Sequence, residues 1–136
     1  MDIVIRKADI FESGILTELT FKSKRYWNYP EEYMKVFEQE LIVSDEYIQQ
    51  NIVYVADING RIGGYYSIKD VTEDYWSGKT FVQKGFWLDN FFILPEFIGH
   101  DIGRNLLEHA KNTCRNIGCR KLLVFSDPHA KGFYLK

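Results

Sequence analysis

The stretch around Gly99 and Gly103 carries the clearest chemical signal in the sequence. The two glycines lie between an apolar segment that ends at Leu94 and a predicted helix that begins at Ile102. Glycine lets a loop turn its N–H groups inward, and a helix N-terminus adds unpaired N–H groups with partial positive charge. This combination is typical of a site for an anion such as a pyrophosphate. Two glycines before a helix are also common in plain turns, so both interpretations remain open.

The cysteines and histidines do not form a recognisable metal site. The spacing of Cys114 and Cys119 matches neither a redox pair nor half of a common zinc site. His100, His109 and His129 do not pair with them at ligand spacing. We therefore expect two reduced thiols on or near a helix, and no metal ion.

Predicted strands and helices place the glycine loop in the second half of one α/β domain that covers residues 1–136. In chain order the predicted elements are a strand at 2–7, a helix at 9–24, a helix at 30–41, a short helical turn after Ser44, strands at 51–58 and 61–69, a polar loop at 70–83, a strand at 85–94, a helix at 102–117, a strand at 120–125 and a helix from Asp127. The Asn59-Gly60 pair predicts a tight hairpin, and Gly63 and Gly64 allow a bulge or a close backbone approach. The strand–helix–strand order predicts that the last strand runs parallel to the strand at 85–94.

Composition and charge exclude several classes of protein. Hydrophobic residues make up 46% of the 136 residues, which is too many for a disordered chain. The 17 basic and 19 acidic residues give a net charge of −2, which argues against a general nucleic-acid binder. No apolar stretch is long enough to cross a bilayer, and the N-terminus lacks a secretory pattern. These features predict a cytoplasmic protein with neither nucleic acid nor membrane as its partner.

Two sequence blocks resemble the GCN5-related N-acetyltransferases, the GNAT superfamily. The family pattern is an apolar strand, a proline, roughly aromatic-Arg-Gly-x-Gly-x-Gly-Arg, and then Leu-Leu. The matching positions here are Pro95, Phe97, Ile98, Gly99, His100, Asp101, Ile102, Gly103, Arg104, Leu106 and Leu107. A second block of Asn, then Ala, then Tyr is matched by Asp127, Ala130 and Tyr134. The resemblance implies a mixed, strongly twisted central sheet flanked by helices, with the last C-terminal strands of the family apparently missing.

The resemblance also implies acetyl-CoA as a co-substrate. The backbone amides from about Ile98 to Arg104 would hold its pyrophosphate. The end of the strand at 85–94 would pair with the pantetheine arm, with Phe92 and Ile93 beside the thioester. The cofactor-binding residues implied in this way are Phe92, Ile93, Leu94, Ile98, Gly99, His100, Asp101, Ile102, Gly103, Arg104 and Asp127.

Two residues take catalytic roles by the same resemblance. Tyr134 would protonate the departing CoA thiolate, which needs an O–H within reach of sulfur. Asp89, the only acid on the strand at 85–94, would take the proton of the amine, as strand carboxylates do in other members. A raised pKa from burial would suit that role. Tyr134 could instead be an ordinary tyrosine of a helix face, and Asp89 a hydrogen-bonded strand residue, with Glu73 and Asp74 as alternative bases.

Aromatic residues form candidate walls for the acceptor. The amine would enter between the first helices and the loop before the strand at 85–94. The wall candidates are Tyr26, Trp27, Tyr29, Tyr33 and Trp76. Aromatic rings hold flat or cationic ligands well, but they are equally common as packing residues. The acceptor class stays open between a small-molecule amine and a peptide amine.

The chain departs from the family pattern at three positions. Ile98 stands where the family prefers Arg or Gln, and Asp127 replaces the usual Asn. Asp101 replaces a glycine, which removes conformational freedom and sets a carboxylate beside the pyrophosphate. His100 and Arg104 could offset that charge. These departures leave a second function open beside acetyl transfer to a primary amine, namely a catalytically degenerate acyl-CoA-binding or regulatory module.

The family pattern also predicts something about the C-terminal end. Members usually continue past the position of Tyr134 with two more strands, whereas this sequence stops at Lys136. The strand at 120–125 would then be an unpaired edge, which invites pairing with another chain. We therefore expect either a truncated sequence or a homodimer whose partner covers this edge.

Overall fold

The computed structural model describes residues 2–26 and 41–124. The predicted helices at 30–41 and from Asp127 lie outside the described residues, apart from Leu41, which is in a turn. The described elements are β1 (Ile3–Lys7), a 3-10 turn (Ile10–Glu12), α1 (Ser13–Tyr26), α2 (Asp45–Gln50), β2 (Ile52–Ile58), β3 (Arg61–Val71), β4 (Tyr75–Ser77), β5 (Thr80–Val82), β6 (Gly85–Ile93), a 3-10 turn (Pro95–Phe97), α3 (Ile102–Asn116) and β7 (Leu122–Val124).

Five strands form one mixed sheet in the order β1-β2-β3-β6-β7. Neighbouring strands are antiparallel except β6 and β7, which are parallel, as the strand–helix–strand rule predicted. Helix α1 packs on one face through Leu16 and Leu19, and α3 packs on the other through Leu106 and Ala110. The sheet is therefore the middle layer of an α/β sandwich, which agrees with the predicted fold class.

The hairpin between β2 and β3 follows from its two turn residues. Asn59 and Gly60 both have positive φ, at 53° and 89°, as a tight two-residue turn requires. The register then shifts from Asp57 opposite Ile62 to Ala56 opposite Gly64, so Gly63 is the extra residue of a bulge. A Cβ at Gly63 would lie 2.9 Å from Cδ2 of Phe97. The glycine is thus required by the close approach of the 3-10 turn that follows β6.

The predicted polar loop at 70–83 is wrong in part. Strand β3 continues to Val71, and β4 and β5 form a separate two-stranded ribbon around Gly78, whose φ is 62°. The rings of Trp76 and Phe81 face each other across the ribbon with centroids 5.3 Å apart. Cross-strand aromatic pairs stabilise such ribbons, and this pairing overrides the polar composition of the segment.

The expectation of two reduced thiols is also wrong. Cys114 in the last turn of α3 and Cys119 just beyond it are joined by a disulfide, with Cα atoms 4.9 Å apart. Gly118 has a φ of 81°, which reverses the chain after the helix and brings Cys119 back towards Cys114. Both side chains are buried, and the turn at Gly118 brings their sulfur atoms together.

Within residues 2–26 and 41–124, no helix has the length and apolar character needed to span a membrane.

Candidate active site

A second bulge, in β6, determines where Asp89 points. Ser67 of β3 pairs with Asn90, and the next residue, Ile68, pairs with Leu88. Asp89 therefore has no partner across the strand pair. In a regular strand Asp89 and Asn90 would face opposite sides of the sheet, but an extra residue resets this alternation. Both side chains consequently reach the face covered by α1 and α2.

A chain of hydrogen bonds joins the bulge to α2. The hydroxyl of Tyr47 donates to Oδ2 of Asp89. Its oxygen lies 2.8 Å from Oγ of Ser67 and accepts from Nδ2 of Asn90 at 3.2 Å. Since the single proton of Tyr47 goes to Asp89, the Ser67 hydroxyl donates to Tyr47. The Asn90 N–H in turn donates to Oγ of Ser67 at 3.1 Å.

The short helix α2 fixes the position of Tyr47. The Ser44 hydroxyl caps the helix and accepts from the N–H of Tyr47 at 3.0 Å. At the other end, the N–H and the side-chain amide of Asn51 both donate to the carbonyl of Tyr47, at 3.1 and 3.0 Å. The backbone of Tyr47 is thus held from both sides, which directs its phenol onto Asp89.

Burial keeps the hydroxyl of Tyr47 protonated. Burial raises the pKa of Tyr47 far above its usual value of 10, and the neighbouring Asp89 carboxylate raises it further. The phenol therefore stays protonated at all ordinary pH values and acts as a hydrogen-bond donor. Asp89 itself is half-buried. No described residue bonds its Oδ1, and Oδ1 is not among the buried unsatisfied atoms, so this oxygen faces solvent.

Two aromatic side chains of the sheet pack together on the α1 face. The ring centroids of Phe92 and Tyr65 are 5.9 Å apart, and the Lys24 ammonium lies 5.6 Å from the Phe92 centroid. Tyr65 is wholly buried, and burial raises its pKa while its hydroxyl bonds Thr20 at 2.5 Å. Of the three residues at the end of β6 that were predicted to contact acetyl-CoA, only Phe92 has a partly exposed side chain on this face. Leu94 is buried there, and its N–H donates to the carbonyl of Gly63.

The side chain of Ile93 lies on the opposite face of the sheet from that of Phe92. It packs on the opposite face, in the cluster that contains Ile102 and Leu106. Its neighbour Phe91 lies on that face too. Only the backbone of Ile93 is therefore available on the α1 side.

The loop after β6 presents a row of unpartnered amides. The N–H groups of Ile98 and His100 are used within the loop, since they donate to the carbonyls of Pro95 and Phe97 at 3.2 and 3.3 Å. Five further N–H groups have no acceptor in the described part of the chain, and they belong to Gly99, Asp101, Ile102, Gly103 and Arg104. The loop can therefore hold an anion through amides, although through fewer of them than predicted.

Asp101 takes the conformation that a glycine would take. Its φ of 63° is in the left-handed region, which Asp tolerates better than most residues. Its carbonyl accepts from the N–H and the side-chain amide of Asn105, at 3.0 and 2.9 Å, while its carboxylate makes no capping bond. His100 and Arg104 are exposed beside it. Backbone freedom is thus no obstacle at this position, and only the negative charge remains unfavourable for an anion.

Strand β7 accompanies only the first part of β6. Its residues Leu122–Val124 pair with Phe86–Leu88. Past Leu88, where the bulge begins, the described chain provides no strand on that side of β6.

Five of the remaining predicted site residues lie outside the described residues, namely Tyr134, Asp127, Trp27, Tyr29 and Tyr33. Tyr26 ends α1 and is half exposed, and Trp76 is 67% exposed on the β4–β5 ribbon. Glu73 and Asp74 are exposed, and Asp74 accepts from the N–H of Lys84 at 2.6 Å. Asp89 is thus the only predicted base that faces the cluster.

Sequence reasoning missed Tyr47 and Ser67. The cap signal at Ser44 predicted the helical turn that carries Tyr47, but nothing in the sequence indicates that this tyrosine meets a residue 42 positions further along. Ser67 stands in an apolar strand, where a small polar residue has no distinctive spacing. Only the pairing of β3 with β6 brings it to the bulge.

A separate groove of about 280 Å³ lies between α1 and the β2–β3 hairpin. Its charged residues are all ion-paired: Arg6 with Glu12 at 2.8 Å, Lys22 with Glu18 at 3.1 Å, and Arg61 with Glu96 at 2.8 Å. The hydrogen bond from Arg6 lowers the pKa of Glu12 and so keeps this pair charged. The groove therefore offers no unpaired charge to a ligand.

The molecule combines a mixed sheet, a bulged strand that carries a half-buried carboxylate, and an amide-rich loop at a helix N-terminus. The chain belongs to the acetyltransferase (GNAT) family, whose model matches residues 16–136. This confirms the resemblance drawn from the sequence.

Solved structures support the fold. PaiA N-acetyltransferase from Thermoplasma acidophilum, in complex with coenzyme A, is 21% identical with a TM-score of 0.74, over 93% of this chain and 80% of that one. A GCN5-related N-acetyltransferase from Ralstonia eutropha is 10% identical with a TM-score of 0.72, over 99% and 94%. The aminoglycoside N-acetyltransferase AAC(6′)-Iy, in complex with the bisubstrate analogue CoA-S-monomethyl-acetylneamine, is 18% identical with a TM-score of 0.59, over 96% and 84%. Among curated proteins, none matches this sequence.

Proposed function

We propose that this protein is an N-acetyltransferase that moves an acetyl group from acetyl-CoA to a primary amine by direct nucleophilic attack. The observation that carries the proposal is the arrangement along β6. The bulge gives Asp89 a solvent-facing carboxylate oxygen, and the same strand leads into the loop of unpartnered amides. Membership of the GNAT family supports this function, and two of the similar solved structures hold coenzyme A or an analogue of it.

The residues of the loop fit the pyrophosphate of acetyl-CoA. Five N–H groups without a described acceptor, three of them in the first turn of α3, provide a concentrated positive potential. The carboxylate of Asp101 opposes it, and the exposed Arg104 and His100 offset that charge.

The chemistry assigned to the chain itself is proton transfer. Oδ1 of Asp89 would accept the proton that the amine loses as it attacks the acetyl carbonyl. Tyr134, which lies outside the described residues, is proposed as the donor to the departing thiolate by its match to the family pattern.

Calorimetric titration with acetyl-CoA, and with CoA as its control, tests the proposal. We expect micromolar binding, followed by turnover in a screen of polyamines, aminoglycosides, amino acids and peptide N-termini. Asp101→Asn removes the opposing charge and should tighten binding a few-fold, with the gain shrinking as salt is raised. Asp70→Asn is the matched control, because it removes an exposed carboxylate at the other end of the sheet. A folded protein that binds no acetyl-CoA would refute the proposal.

A second function has one observation in its favour, namely the carboxylate of Asp101 at the mouth of the loop. A degenerate module would bind acyl-CoA and act as a sensor or subunit. Binding of acetyl-CoA without turnover on any amine class would identify it.

A further inference from the structure

We infer that Tyr47 is a positioning residue that holds Asp89 in the orientation needed to take a proton from the acceptor amine, and that Ser67 and Asn90 hold Tyr47. This inference rests on the proposed acetyl transfer. It adds residues from α2 and β3 to a site otherwise built on β6 and the loop after it.

Asp89 needs a fixed hydrogen-bond partner. A bulge residue has no neighbour opposite it in the strand pair, so the ladder does not restrain its side chain. In the described chain, Tyr47 is the only group that donates a hydrogen bond to this carboxylate. Without that bond the carboxylate could rotate freely, and the direction of its solvent-facing oxygen would not be set.

Tyr47 is itself held in place. Its backbone is bonded by Ser44 and Asn51, and its hydroxyl by Ser67 and Asn90. A phenol with two rotatable side-chain bonds and partners at both ends has one orientation. It therefore transmits the rigidity of the sheet and of α2 to Asp89.

The two oxygens of Asp89 have different roles. Oδ2 keeps the hydrogen bond from Tyr47, because that phenol retains its proton in the working pH range. Oδ1 is left to receive the proton from the amine nitrogen. As this N–H bond breaks, the nitrogen–acetyl bond forms and the carbon–sulfur bond of the thioester breaks, with its electron pair leaving on sulfur. Tyr47 loses and gains no proton in this step.

The test compares Tyr47→Phe with Tyr66→Phe. Both changes delete one phenolic hydroxyl from a hydrogen-bonded network in the same sheet, but Tyr66 lies on the α3 face and bonds His109 and Thr113. We expect Tyr47→Phe to lower kcat about tenfold with little change in the affinity for acetyl-CoA, because it loses a hydrogen bond to a charged group. Tyr66→Phe should leave both kcat and the affinity for acetyl-CoA unchanged.

Ser67→Ala provides a second variant that keeps both tyrosines. It removes one donor to the Tyr47 hydroxyl and should give the same changes at smaller size. A third measurement needs no activity: the carboxyl ¹³C chemical shift of Asp89 in the substrate-free protein should change in Tyr47→Phe and stay the same in Tyr66→Phe, because only the first variant loses the hydrogen bond to Oδ2.

The results separate the two proposals. A wild type that binds no acetyl-CoA refutes the proposed function, while the carboxyl chemical shift still decides whether Tyr47 holds Asp89. An active wild type whose Tyr47→Phe variant keeps the same kcat and the same carboxyl chemical shift overturns the positioning role. Equal effects from Tyr66→Phe would overturn it too, since they would show a general loss of packing.

Discussion

The two faces of the central sheet both bury tyrosines, but they use them differently. Tyr65 and Tyr66 are neighbours in β3, point to opposite faces and are both wholly buried. On the α3 face, the Tyr66 hydroxyl bonds His109 at 2.7 Å and Thr113 at 2.9 Å, and the network ends there. On the α1 face, the Tyr65 hydroxyl bonds Thr20, whereas a separate network of Tyr47, Ser67 and Asn90 ends on the carboxylate of Asp89.

The difference between the faces lies in that last group. Both networks satisfy their buried hydroxyls, and such satisfaction is what any stable fold requires. Among the described residues, only the α1 face adds an acid with one oxygen bonded to a buried hydroxyl and the other without a bond. A buried polar network is therefore not evidence of a site by itself, whereas a carboxylate that is held by one oxygen and free at the other is.

The largest expected effect comes from removing the acid of the α1 face. Asp89→Asn should lower kcat/KM about 10²- to 10³-fold, because the amide cannot accept the proton of the amine. Acetyl-CoA affinity should not change, since the loop amides are untouched. Steady-state kinetics and calorimetry on one preparation measure both. Unaltered turnover would show that the two faces do not differ in the way we describe.

The next effect separates stability from activity on the α3 face. Tyr66→Phe should lower the free energy of unfolding by about 1–2 kcal/mol, because His109 and Thr113 lose a buried partner. Urea unfolding measures this loss. Ile68→Val, a mild change in the same core cluster, calibrates the cost of a packing change without a lost hydrogen bond. A clear fall in turnover for Tyr66→Phe would mean that this face takes part in the reaction.

The smallest effect is a difference in pH dependence. Burial lowers the pKa of His109, so the folded state disfavours its protonated form. The unfolded state then binds more protons as the pH falls below about 6.5, and stability decreases in that direction. His109→Gln should weaken this decrease by less than about 1 kcal/mol between pH 8 and 5.5.

The hydroxyls of the α1 face add no such slope. The pKa values of Tyr47 and Tyr65 are raised by burial, so both stay neutral in this range. Urea midpoints at the two pH values, for wild type and His109→Gln, isolate the histidine as a difference of differences. Identical slopes in both proteins would contradict its assignment as a group that is kept neutral by burial.

Elements with strong local signals were predicted correctly. The Asn59-Gly60 hairpin, the helix at 102–116 and its parallel neighbour β7 depend on turn chemistry, periodicity and chain order, which are all visible in the sequence. The β4–β5 ribbon was missed because its stability comes from Trp76 meeting Phe81 across a turn. The Cys114–Cys119 disulfide was missed because the spacing of the two cysteines does not reveal the direction that the backbone takes after Gly118.

The candidate site divides in the same way. The sequence by itself determined the strand with one acid, the glycine loop and the helix after it, because each is a property of adjacent residues. Tertiary structure alone decided that Asp89 and Asn90 share a face, because the bulge exists only in the register between β3 and β6. It also decided that Tyr47 meets Asp89 across 42 residues. Contacts between distant segments depend on how whole elements pack, and the spacing of residues along the chain carries no record of that packing.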